Sequence, residues 1–263
     1  MASAFTSPGR SRRKALPKGA GVVVVGNGMV GARFCNELVA NGLHRRLSLT
    51  VIGAEPVPAY DRIHLSDYLD HRDAAQLELH EPGWHEEHGI SLRIGDPVTR
   101  IDRALRSVHL AGGEAINYHL LVLATGSRPL VPPIEGADLP GVFLYRTIAD
   151  LEALLAAADG KNSATVIGGG LLGLEAAEAA RKLGLRATVV ERASFLMPRQ
   201  LTEPAARLLE ARTRELGIEV LVGHTTEKIS QDDGAHLVQF KDGSSCRSDL
   251  VIISAGIVPN SEL

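Results

Sequence analysis

The chain has 263 residues, 44% hydrophobic, 22% charged and 4% aromatic, with a formal net charge of −3. That length holds one large or two medium domains, each with its own core. The charge offers no electrostatic basis for binding nucleic acid or an anionic membrane, and no apolar run approaches the roughly 20 residues that cross a bilayer. A soluble, cytoplasmic α/β protein is the expectation. Only Cys35 and Cys246 are present, which excludes a C-x-x-C or C-x4-C dithiol centre and an iron–sulfur cluster held by four thiolates of this chain. Cys35, one turn into the first predicted helix on its apolar side, reads as a small core residue. His64, His71, His80, His85 and His88 lie close in sequence without helical ligand spacing, so no metal site is expected.

Residues 1–19 carry Arg10, Arg12, Arg13, Lys14 and Lys18 with no acid and no apolar stretch. They read as a disordered leader, with an organellar transit segment as the alternative, and not as a secretory signal. Gly21–Val25 is a predicted strand that leads into a helix from Met29 to about Asn41, closed by Gly42. Leu47–Ile52 is the next strand. The stretch from Glu55 to His88 is irregular, because Pro56, Pro58 and Pro82 exclude regular helix at those points; a helical turn is expected near Trp84–His88. A short strand at Ile90–Ile94 precedes an antiparallel meander of Val98–Asp102, Ser107–Leu110 and Ala115–Asn117. Leu120–Ala124 then reads as a buried strand.

After Pro129, Pro132 and Pro133 the pattern restarts. Thr147 is placed to N-cap a helix to about Ala158. A helix at Leu171–Leu183 ends at Gly184, and Ala187–Val190 is a strand. Thr202 is placed to cap a helix to Leu216, closed by Gly217. Strands are expected at Glu219–Val222, Glu227–Ser230 and His236–Phe240, with a hairpin turn at Asp242-Gly243, and Leu250–Ser254 is a last buried strand. Strands alternating with helices in both halves predict α/β units with parallel sheets.

Two glycine loops of one design punctuate this pattern. The first is Gly26-Asn27-Gly28-Met29-Val30-Gly31 after Val22–Val25; the second is Gly168-Gly169-Gly170-Leu171-Leu172-Gly173 after Ala164–Ile167. In such a loop the first glycine turns the chain out of the strand, the second lets a pyrophosphate approach the backbone, and the third lets helix pack on strand. The helix N-terminus then offers its free N–H groups to phosphate. An acid follows each loop: Glu55 lies 24 positions after Gly31, and Glu191 lies 18 positions after Gly173. Both are near the roughly 20 expected for a carboxylate that accepts from a ribose diol. Two such loops imply two dinucleotides on one chain, hence electron transfer. The carboxylate of Glu191 repels a 2′-phosphate and favours NADH, while the adjacent Arg192 softens that preference and keeps NADPH open.

With these loops, two further segments resemble the two-dinucleotide flavoprotein family of pyridine-nucleotide oxidoreductases. Leu123-Ala124-Thr125-Gly126-Ser127-Arg128-Pro129 is similar to its A-T-G-x-x-P segment, and Gly256-Ile257-Val258-Pro259-Asn260 to its G-x-x-P-N segment. The stretches Glu55–Ser66, Tyr145–Leu151 and Gly168–Ala177 are most similar to the amino-terminal part of NAD(P)H nitrite reductase large subunits, whose role is in nitrate assimilation. The resemblance implies two Rossmann-like three-layer nucleotide-binding domains in the manner of glutathione reductase, the second inserted in the first. On this reading residues 20–145 begin the FAD-binding domain, 146–249 form the NAD(P)H-binding domain and 250–263 return to the FAD domain with a truncated strand.

The resemblance further implies that Gly26, Asn27, Gly28, Met29, Val30, Gly31, Glu55, Arg62, Ala124, Thr125, Gly126 and Ser127 contact FAD. Gly168, Gly170, Leu171, Leu172, Gly173, Glu191 and Arg192 are assigned to NADH, with NADPH as the alternative, and Gly256, in the segment that returns to the first domain, is a further cofactor-binding residue. Arg62 offers a guanidinium fork for phosphate or a ring edge, or is a surface residue of its loop; Tyr60 covers the flavin or packs that loop. Glu175 is placed near the flavin or is a solvated helix carboxylate. No side chain is assigned a catalytic role. Many ferredoxin and rubredoxin reductases carry a lysine where this chain has Asp67, which cannot pair with Glu175. The family's Gly-Asp segment and carboxy-terminal domain have no counterpart here.

The expected activity is an FAD-dependent NAD(P)H oxidoreductase module that passes electrons to an acceptor. The expected partner is a siroheme/iron–sulfur nitrite-reducing domain or subunit, or a small iron–sulfur electron carrier; a homo-oligomer is a further arrangement. The competing readings are a ferredoxin or rubredoxin reductase-like flavoprotein, and a truncated nucleotide-binding protein without turnover.

Overall fold

The computed structural model describes residues 16–263; most of the basic leader lies outside them. The chain divides into two units. One comprises the residues up to Pro58 with Glu81–Ala124 and Leu263, the other Ala59–His80 with Thr125–Glu262.

The first unit is a four-stranded parallel sheet in the order Ile90–Arg93, Leu47–Ile52, Ala20–Val25, Leu120–Leu123. Its central strand is a run of valines because it is buried on both faces. Val22 and Val24 pack with Cys35, Leu49, Val51 and Ile90 on the side of the Met29–Ala40 helix. Val23 and Val25 pack with Ile52, Val98, Val108 and Leu110 on the side of the antiparallel meander. Each such side chain contributes roughly 1.5–3 kcal/mol on burial. Cys35 is part of this core, and burial pushes its thiol up to about 11. That removes it from thiolate chemistry at neutral pH. The helix ends at Gly42 with φ 66°, the left-handed value that makes glycine the natural stop.

The second unit repeats the plan and adds a strand. Its parallel sheet runs Glu219–Val222, Arg186–Glu191, Ser163–Ile167, Leu250–Ile253, Val142–Leu144. An antiparallel meander, Thr226–Asp232, Ala235–Phe240 and Ser245–Ser248, sits in sequence where the first unit has its own. Ile167, Val190, Val251 and Ile253 join Ile229, Val238 and Phe240 in one core. The Leu171–Lys182 helix buries only Gly173, Ala176, Ala177, Ala179 and Ala180. Thr147 caps the Ile148–Ala158 helix as expected, in a capping box with Asp150. Thr202 stands at the N-cap of the Glu203–Glu215 helix without a side-chain capping bond.

Three sequence expectations need correction. The strand Leu250–Ile253 does not return to the first sheet; it pairs in parallel with Ser163–Ile167. All four of its residues are buried, and an apolar strand of this kind completes any parallel sheet, so its sequence carries no sign of which one. Nor does residue 146 begin the second unit: Val142–Leu144 forms that sheet's edge, and Ala59–His80 groups with it as well. The stretch from Glu55 to His88 holds more order than its prolines suggested, with helical turns at Leu65–Asp67, Tyr68–His71 and Ala74–Leu77.

Candidate functional site

Each glycine loop leaves its sheet in the same way. Gly26 has φ 118° and donates its N–H to the Ile52 carbonyl at 2.8 Å; Gly168 has φ 119° and donates to the Val190 carbonyl at 2.8 Å. Gly28 and Gly170 are the N-caps of the following helices, with extended backbone and no side-chain cap. A Cβ on either would point into open space. On Gly31 or Gly173 it would overlap the carbonyl oxygen of Gly26 or Gly168. The backbone therefore leaves two uncapped helix N-termini, each approached through a glycine with a clear outer face. This is the arrangement that receives a pyrophosphate.

The acids that follow are not equivalent, although their spacing suggested it. Since Gly26 bonds to Ile52 and Gly168 to Val190, the residue matching Glu191 is Gly53, and Glu55 lies two positions further on. A Cβ on Gly53 would meet the Cβ of Asn27 at 2.7 Å, and one on Gly169 would meet the Cβ of Glu191 at 2.8 Å. One side chain fits at each crossing, supplied by the loop in the first unit and by the strand in the second. Asn27 Nδ2 is buried and has no protein partner. Glu191 is 8% exposed; its Oε2 accepts from Gly169 N–H at 2.7 Å and its Oε1 from Ala193 N–H at 2.8 Å.

Of the residues assigned to FAD, Gly26–Gly31, Glu55 and Ala124 lie in the first unit, and Arg62 and Thr125–Ser127 in the second. There Arg62 Nη1 donates to the Arg146 carbonyl at 2.9 Å, and Arg146 Nη2 donates to Ser127 Oγ at 2.8 Å. The Arg62 guanidinium stands 4.6 Å from the centroid of the buried Tyr60 ring. Asn260 ties the Ala124–Pro129 and Gly256–Asn260 segments together: its Nδ2 donates to the Thr125 carbonyl at 2.8 Å, while Thr125 Oγ1 donates to the Asn260 carbonyl at 2.7 Å. Arg146 and Asn260 were missed as site residues. Both stand in recognised motifs, but only the fold shows what they hold.

Glu175 is half-buried on the Leu171–Lys182 helix, and burial holds its carboxyl above the ordinary range. Tyr145 donates or accepts at Ser66 Oγ over 2.8 Å. Burial pushes its phenol up to about 12, and the charges of Glu175 and Asp67 add to the shift.

The second loop opens on a cleft of about 320 Å³ that brings together Gly168, Gly170, Leu171, Leu172, Glu191, Arg192 and Gly256. A further cavity of about 590 Å³ shares Gly168, Glu191, Arg192, Arg199 and Ala255 with it and continues past Thr226 and Lys241. The sequence reading missed Arg199, Thr226 and Lys241, which no motif connects.

The chain is 43% identical over 242 residues to the NAD(P)H nitrite reductase large subunit of Klebsiella oxytoca; the match covers 92% of this chain and 25% of that protein. It thus spans a quarter of that relative's length. Among solved structures it matches the ferredoxin reductase for the CYP199A2 system from Rhodopseudomonas palustris, with TM-score 0.83 and 32% identity, covering 92% of this chain and 60% of the other. It also matches the water-forming NADH oxidase of Lactobacillus brevis bound to NADH, and an engineered NADPH oxidase made from it bound to NADPH. Each has TM-score 0.84 and 26% identity, covering 92% of this chain and 55% of theirs. The sequence matches the pyridine nucleotide-disulphide oxidoreductase family from residue 20 to residue 263, and the chain belongs to that family.

Proposed function

We propose that this chain is the electron-input module of a reductase, oxidising a reduced nicotinamide dinucleotide through bound FAD. The observation that carries the reading is the repeated loop: two uncapped helix N-termini, each entered through a glycine with a clear outer face. FAD is assigned to the first loop. There the helix N–H groups would face its pyrophosphate, Asn27 Nδ2 would supply a further donor, and Glu55 is assigned to the ribose. The nicotinamide dinucleotide is assigned to the second, where Leu171 and Leu172 wall the cleft. When bound, the flavin supplies hydride acceptance and onward electron delivery, and the protein supplies orientation and electrostatics.

The proposed acceptor is a siroheme/iron–sulfur nitrite-reducing domain or subunit, because the large subunit of a nitrite reductase is 43% identical. An iron–sulfur carrier is the second reading, favoured by the fold match to a ferredoxin reductase. For the dinucleotide, this chain combines features of both L. brevis enzymes. The engineered NADPH form changes a glycine and, eighteen residues later, an Asp to Ala and the next residue to Arg. The same eighteen residues separate Gly173 from Glu191 here, and Arg192 follows. The chain keeps the acid and already has the arginine, so NADH and NADPH are both proposed substrates.

Purified protein, reconstituted with FAD where needed, is expected to be yellow and to bleach on anaerobic addition of NADH or NADPH. Colourless protein that takes up no added FAD would overturn the reading. Dinucleotide oxidation measured with a siroheme protein, a ferredoxin and a rubredoxin in turn separates the acceptors.

A further inference from the structure

Resting on the assignment of a nicotinamide dinucleotide to the second loop, we propose that Met197 is a positioning residue for that ligand, aiming a backbone N–H of the loop at its pyrophosphate. Met197 has φ 50°, in the left-handed region that non-glycine residues seldom occupy. It also precedes Pro198, and a proline pushes the residue before it towards extended backbone. A conformation disfavoured on both counts persists only where its surroundings over-determine it.

The surroundings do so here. The Met197 N–H donates to the Gly169 carbonyl at 2.9 Å, and the Met197 carbonyl accepts from the N–H groups of Gln200 and Leu201, each at 3.0 Å. The preceding Leu196 is fully buried, and a Cβ on Gly169 would meet its Cδ2 at 2.6 Å. The following Pro198, Arg199 and Gln200 line the cleft at the loop. The strap from Arg192 to Leu201 is thus pinned to the glycine loop at Met197.

The pin fixes one peptide plane. Every peptide bond among the described residues is trans, and across a trans peptide the C=O and N–H point in opposite directions. With the Gly169 carbonyl held towards Met197, the Gly170 N–H points away from it. That N–H makes no hydrogen bond among the described residues. Gly170 is the N-cap of the Leu171–Lys182 helix and lines the cleft, so its N–H is the first of the free donors that the helix offers to phosphate. Glu191 holds the Gly169 N–H, but that group belongs to the preceding peptide and leaves this plane unset. The first loop has no such pin: no N–H among the described residues donates to the Asn27 carbonyl.

The test is calorimetric titration of the FAD-reconstituted protein with NAD⁺, ADP and adenosine, on the wild type and three variants of Met197. Glycine and asparagine accept a left-handed backbone, so Met197→Gly and Met197→Asn should bind NAD⁺ within about twofold of the wild type although the side chain is lost. Met197→Ile keeps the volume, but its β-branch makes that backbone an outlier. It should weaken NAD⁺ and ADP about tenfold, the scale of one lost hydrogen bond to a charged group. Adenosine, which has no phosphate, should bind all four proteins alike. Equal losses in all three variants would assign the effect to the methionine side chain and overturn the inference. So would wild-type NAD⁺ affinity in Met197→Ile, or a loss that extends to adenosine; each of these leaves the dinucleotide assignment standing. Failure of the wild type to bind NAD⁺ or ADP would overturn the assignment itself.

Discussion

In the first loop the side chain that fills the crossing of loop and strand belongs to the loop, Asn27, and the strand supplies Gly53; in the second the loop supplies Gly169 and the strand supplies Glu191. The backbone is otherwise the same, down to first glycines at φ 118° and 119°. The exchange has an energetic consequence. Glu191 satisfies a loop N–H from within the protein, so the second loop is pre-set before any ligand arrives. Asn27 leaves a buried donor without a protein partner, so the first loop lacks the internal bond that sets the second. The sheets differ in the same sense. Leu250–Ile253 in the second is flanked on both sides, whereas Leu120–Leu123 is, among the described residues, an edge strand of the first sheet, with Leu120 43% and Leu123 57% exposed.

The largest expected effect is at a turn glycine. Gly168→Ala would force a side chain into a left-handed φ and against the Ser254 carbonyl carbon at 2.8 Å. We expect a loss of about 3 kcal/mol or more in urea unfolding, together with loss of dinucleotide binding. Retention of both would mean that the turn is not the rigid element described.

Next comes the exchanged pair. Glu191→Ala should cost about 1.5–3 kcal/mol, because two N–H groups lose a charged acceptor. Asn27→Ala should leave the stability of FAD-free protein within about 0.5 kcal/mol and weaken FAD binding about tenfold. Unfolding curves and flavin titration check both. Equal destabilisation by the two changes would break the comparison.

A smaller effect is expected at Glu175. Its folded-state pKa is raised by burial, so the folded protein holds this proton more tightly than the unfolded chain does. Stability from this group is present at acid pH and is lost as pH rises through the unfolded and then the folded pKa. Glu175→Gln should therefore raise the melting temperature at pH 7, with the gain gone below about pH 4. An equal gain at both pH values would show that the change acts through packing. The smallest effect is at the open edge: Leu123→Lys should change stability by no more than about 0.5 kcal/mol and reduce self-association in light scattering.

Much of this plan was legible in the residues. The β-branched runs, the helix-closing glycines and the capping role of Thr147 all follow from local chemistry, which the fold does not override. The loops were legible because each glycine answers a backbone requirement. What escaped were relations that depend on register. Counting residues to an acid paired Glu55 with Glu191, yet two strand positions separate their places in the fold. The sheet that takes Leu250–Ile253 could not be read either, since four apolar residues suit either sheet. Arg199, Thr226 and Lys241 converge only after three separate connections have been drawn, so no local pattern marks them.

The place of Leu250–Ile253 between Ser163–Ile167 and Val142–Leu144 has a consequence for how the chain matures during synthesis. The four strands described in the first sheet have all been made once Leu123 has left the ribosome, so their pairing can begin early. The second must hold Ser163–Ile167 with one flank bare until the residues from Leu250 emerge. Its edge is exposed through the making of two helices and a whole meander, and that interval is when a nascent chain of this design most needs a chaperone.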